Sequence, residues 1–195
     1  MSNPSGTQQQ PLTDPETHTE PLNFLGVFAG VWGLVGVLTI LGRGLWQITP
    51  LALEPFERGL SVFEWVLYAV CIVFMAYSEG YKGFQKAFSP RVVARALYLA
   101  RHPRLLHVLL APAFCMALFH ATRKRLIVSW VLALGILALV LTVPLLPYPW
   151  RNIIDAGVVI GLGWGTVSLI VFAAQALFSG KSETSPEVPT PQPQP

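Results

Sequence analysis

Long runs without charge alternate along the chain with short polar clusters. Phe24–Leu41 is uncharged for 18 residues, which as a helix rises about 27 Å, close to the thickness of a bilayer core. Val62–Ser78 is interrupted only by Glu64, and Leu126–Leu146 not at all. Ile153–Phe178 carries Asp155 near its start. A fifth run, Leu105–Ala121, is shorter and broken by Pro112. Trp46, Tyr77, Tyr81, Trp130, Tyr148 and Trp150 fall near segment ends, where interfacial aromatics belong. The pattern predicts an all-α integral membrane protein, a small bundle of four transmembrane helices. Leu105–Ala121 is expected to be a re-entrant hairpin turning at Ala111-Pro112, with a fifth span as the alternative.

Three regions follow. Residues 1–22 are polar, lack Lys and Arg, and predict a disordered tail rather than a signal peptide. Residues 23–179 form the transmembrane helical domain. Residues 180–195 are rich in proline and are expected to stay extended and unpacked.

Composition supports the membrane reading. Only 12% of residues are charged, against about 25% in soluble chains. The net charge of +3 arises from clusters, so it bears on orientation and excludes no partner but nucleic acid, for which no basic-aromatic module is present. Cys71 and Cys115 sit in apolar runs with no CxxC pairing, and read as small buried hydrophobes.

The densest cluster is "FSPRVVARALYLARHPRLLH", residues 88–107. Ser89 is expected as N-cap with Pro90 at the first helical position. Spacing then puts Arg91, Arg95, Tyr98 and His102 on one face of an amphipathic interfacial helix. Arg91, Arg95, Arg101, Arg104 and His102 are the candidate ligands for an anionic head group. The same charges set topology. Four spans place ten basic residues inside and three (Arg43, Arg58, Arg151) outside, whereas five spans give seven and six. Positive charge favours the cytoplasmic side, so four spans are expected, with both tails cytoplasmic in a bacterial-type inner membrane.

Polar groups within the apolar runs are Glu64, Glu79, His107, His120 and Asp155. Glu64, Tyr68, Cys71, Met75, Ser78 and Lys82 share one face of an ideal helix, with Glu79 beside it in reach of Lys82. A carboxylate in a span costs about 2.5–3.5 kcal/mol at the bilayer centre, so Glu64 is read as a partner-bonded or snorkelling group before a proton or cation site. The spacing of His102, His107 and His120 matches no metal pair, and no metal or cofactor is expected. Asn152 is expected to cap the last helix, with Asp155 three residues on and Arg151 as its partner. Gly26, Gly30 and Gly33, and Gly157, Gly161 and Gly165, are two small-residue stripes suited to close helix packing.

No catalytic motif is present in the sequence. The favoured function is therefore a structural, assembly or regulatory membrane subunit that binds anionic lipid or a partner. An oligomeric small-solute or ion transporter or channel subunit comes second, and a lipid-head-group-modifying enzyme third. Expected partners are membrane lipids and a second copy or another membrane protein, not nucleic acid.

Overall fold

A computed structural model describes residues 24–179 and 184–188. The N-terminal tail and residues 180–183 and 189–195 of the Pro-rich tail lie outside the described residues. Every regular element among the described residues is helical. Helix α1 spans Phe24–Arg58. A second long helix follows in three registers: α2 (Val62–Met75), a π-helical stretch (Ala76–Phe88) and α3 (Ser89–Arg101). Two short helices, α4 (Leu105–Leu109) and α5 (Ala111–Cys115), precede α6 (Arg123–Thr142). A 3-10 turn and α7 (Trp150–Ser179) complete the chain.

Four of these helices are long and apolar enough to cross a membrane: Phe24–Arg58, Val62–Arg101, Arg123–Leu145 and Trp150–Ser179. The five-span alternative has no helix to carry it. Leu105–Ala121 contains two helices of 5 residues each, about 7.5 Å apiece. Left-handed backbone at Ala117 (φ 58) and His120 (φ 49) then turns the chain.

The second long helix starts on a capping box. The Ser61 N–H and hydroxyl both donate to Glu64 Oε2, at 2.7 and 2.8 Å, and the Ser61 hydroxyl accepts from the Glu64 N–H. The wide register ends at Pro90. In an α-helix a proline ring clashes with the carbonyl four residues back, whereas here the Ser89 N–H still reaches Phe84 O, five back. Ser89 is therefore not an N-cap: it lies inside a continuous helix, buried, with its hydroxyl 3.5 Å from Gly165 O. The wide turns also shift the helical phase. The face turned to α7 runs Cys71, Met75, Glu79–Gly80 and Phe84, not through Ser78 and Lys82 as ideal α-periodicity predicts.

Three long helices form the bundle, and glycines set their spacing. A Cβ at Gly30 would come 2.8 Å from Ala96 O, and one at Gly26 would strike Ala100 O, so α1 runs antiparallel to α3. At Gly157 a Cβ would meet Met75 and Cys71 at 2.7 and 2.8 Å; at Gly161 it would meet Glu79 Cβ at 2.9 Å. Gly165 faces Phe84, so α7 runs parallel to the second helix. Close approach of this kind gains dispersion contacts that a lipid neighbour does not match.

One polar contact ties α1 to α7. Pro55 has no N–H, so the Leu51 carbonyl four residues earlier lacks its helical donor. The Asn152 amide fills the gap, donating to Leu51 O and Glu54 Oε2, both at 2.7 Å. Asn152 is thus an interhelical bridge inside α7, not a cap, because α7 already begins at Trp150.

The surface position expected for residues 89–101 also gives way. Helix α3 packs against α1, α5 and α7, and Val92, Val93, Arg95, Ala96 and Leu99 are all buried.

Candidate functional site

Among the described residues Arg95 is the largest fully buried side chain, 1% exposed. Its guanidinium donates four hydrogen bonds, all to backbone carbonyls. Nε reaches Phe114 O at 2.6 Å, Nη1 reaches Pro186 O at 2.9 Å, and Nη2 reaches Phe119 O at 3.2 Å and His120 O at 3.1 Å. The guanidinium carbon lies 4.2 Å from the centroid of the Phe114 ring. Buried charge is costly unless fully hydrogen-bonded. Here the helix-end carbonyl of α5 and those of the left-handed turn supply the acceptors. The result is a clamp that holds the turn after α5, and the returning C-terminal segment, against α3.

That segment is residues 184–188, which are packed rather than loose. The Thr122 N–H donates to Glu187 O at 3.2 Å, and the Glu187 carboxylate pairs with Arg125 at 3.6 Å. Val188 packs on the core formed by α1, α3, α5 and α7.

An aromatic and histidine cluster surrounds the clamp. His107 stacks on Phe114 with centroids 4.7 Å apart and lies 4.7 Å from His120. Nδ1 of His107 is buried and has no hydrogen-bond partner. Burial pushes both histidines below the ordinary range. Nearby positive charge on Arg104 and Arg95 adds to this, as does His120 in the case of His107. Both shifts favour the neutral ring.

Of the five residues expected to bind one head group, none shares its surroundings with all the others. Arg95 is spent on carbonyls. Arg101, His102 and Arg104 are exposed at the end of α3, and His102 stacks on Tyr98 at 4.7 Å. Arg91 lines a separate groove. The carboxylates do not join the histidines either. Glu64 caps its own helix, Glu79 lies against Gly161, and Asp155 is 3.5 Å from Arg151. Lys82 stands 4.7 Å over the Tyr77 ring. The described residues hold no group of three or more potential metal ligands.

The groove lies between the second long helix and α6. Gly83, Ala87 and Arg91 form one wall, and Arg125, Val128 and Leu132 the other, around about 370 Å³. Helix α6 packs along the 3-10 turn that follows it, and no bundle helix lies close against its length. One tether is the Trp130 indole, which donates to Leu118 O at 3.1 Å.

Sequence reasoning took Arg125 for a topology signal and missed its place here. The available clue was spacing: Gly83, Ala87 and Arg91 recur every four residues, and Arg125, Val128 and Leu132 follow the same helical rhythm. Nothing in the sequence marked residues 184–188. Comparison with family models, curated proteins and solved structures finds no match to this chain.

Proposed function

We propose that this protein is a structural or assembly subunit of a membrane, acting by contact with lipid and a partner helix. The observation that carries the reading is α6. It is apolar on all sides yet stands apart from the bundle, with Leu134 56% and Leu137 52% exposed. Helices in lipid gain stability by packing on one another, so a span left out of its own bundle is suited to meet another chain's span. The use of polar groups supports the same view. Arg95, Asn152 and Glu64 are engaged in holding helices and turns together, which is the role of a scaffold.

Orientation follows from charge. Four spans leave both ends of the helical domain on one side. The basic residues Arg91, Arg101, Arg104 and Arg123–Arg125 cluster in the chain on α3 and at the two ends of the hairpin. We place that side in the cytoplasm of a bacterial-type inner membrane. The hairpin then re-enters from the cytoplasmic face along α1, where Pro112 lies against Gly36. A photo-crosslinking residue at 134 or 137, activated in native membranes, tests the reading. The expected product is one discrete protein adduct, strong at 134 and 137 and weak at positions facing the groove. Lipid adducts alone at every position of α6 would contradict it.

A further inference from the structure

The outer face of α6 is assigned above to a partner; its inner face borders the groove. The volume of about 370 Å³ falls in the range of small-ligand sites. Its walls are apolar except at one end, where Arg91 and Arg125 stand. Each of these arginines has its Nε buried without a hydrogen bond. Glu187 lies 3.6 Å from the Arg125 Nε, close enough to pair but too far to bond. Arg91, Arg125 and the buried Arg95, which acts electrostatically on both Arg125 and Glu187, face this one carboxylate, so the end of the groove keeps a net positive charge. An anionic group with oxygen acceptors fits between Arg91 and Arg125.

We propose that the groove seats one anionic phospholipid, its phosphodiester between Arg91 and Arg125 and an acyl chain along Val128 and Leu132. The negative charge of a phosphodiester offsets part of this positive excess, and its oxygens match the forked donors of arginine. The apolar length beyond the arginines has no use for a free inorganic anion. A second copy's helix fits less well, since a helix flank has its backbone groups already bonded and leaves the guanidiniums without acceptors. This inference rests on the reading of the chain as a membrane subunit. It differs in placing the ligand on the inner face of α6 rather than the outer.

Native mass spectrometry of the full chain, released from vesicles of phosphatidylglycerol and phosphatidylcholine, tests the site. The wild type should retain one phosphatidylglycerol per chain, in preference to phosphatidylcholine. R91K with R125K keeps the charge and removes the forks, and should lower retention about fivefold. V128W fills the groove, leaves the arginines in place, and should lower it similarly. Equal retention in all three proteins overturns the proposal, as does loss in the tryptophan variant alone. Displacement of the lipid by inorganic phosphate would also overturn it, marking a simple anion site. Crosslinking from position 134 is measured on the same variants. Lost lipid with unchanged protein adducts supports the groove, whatever the fate of the partner reading. Retained lipid with no protein adduct overturns the subunit reading alone.

Discussion

Arg95 offers the sharpest test of how the fold is held, through a comparison of methionine and lysine in its place. Its four bonds to carbonyls come from a charged donor, at about 1.5–3 kcal/mol each, or about 6–12 kcal/mol gross. Against that stands the desolvation of the guanidinium, a cost of several kcal/mol that methionine does not bear. Phe114 O also keeps a second donor, the Ala117 N–H at 3.0 Å. The net loss for Arg95→Met is therefore about 3 kcal/mol. Lysine keeps the charge and its desolvation cost, but its compact ammonium does not reach carbonyls on three separate stretches of chain. Arg95→Lys should then be worse than Arg95→Met by about 1–2 kcal/mol. Thermal unfolding in a mild detergent gives the order, and amide exchange over residues 114–122 and 184–188 should rise in both variants. Lysine matching wild type would show that only charge matters at this position and would refute the clamp.

Other outcomes follow from the same contacts. Asn152→Ala should destabilise by about 1–2 kcal/mol, and by less in a Pro55→Ala background, where residue 55 regains an N–H for Leu51 O; equal losses in both backgrounds would break that link. Gly161→Leu should lower the melting temperature, since even a Cβ there would come 2.9 Å from Glu79 Cβ, at about 1–3 kcal/mol for overpacking; an unchanged melt would mean that this face can spread apart freely. His107 and His120 titrate below their unfolded values, so the unfolded chain binds more protons in that interval. Their contribution is then present above about pH 6.5 and lost as pH falls through the folded values. Protection factors over 105–120, with the intrinsic pH dependence of amide exchange divided out, should fall between pH 7.5 and 5 in the wild type and change less in H107Q with H120Q; identical profiles would remove the histidines from the account.

What the sequence reveals of this fold depends on where each constraint is written. Hydrocarbon demands long uncharged helices, so the four long helices stand out directly as runs such as Phe24–Leu41. Close-packing glycines stand out too, because their spacing follows the helix. The π-helical stretch does not: its effect is a phase shift, and i, i+4 counting from Glu64 to Lys82 assumes there is none. Arg95 is opaque for a related reason. Its partners are backbone carbonyls, which every residue possesses, so no side-chain pattern announces them. Arginines spaced by four looked like a wet face because neither α5 nor the segment 184–188 could be seen covering it. Asn152 depends on Pro55 nearly a hundred positions away, a pairing that only the antiparallel contact of α1 and α7 creates.

The central claim is a four-span chain whose residues 102–122 begin and end on the same side of the membrane. It is tested most directly by single cysteines at positions 102, 124 and 185, introduced after Cys71 and Cys115 are replaced by alanine. An impermeant thiol reagent applied to intact cells, then to opened cells, reports the side of each. All three positions should stay unlabelled until the cytoplasm is exposed. Labelling of position 124 from outside, with 102 protected, would put residues 105–121 across the membrane and contradict the account.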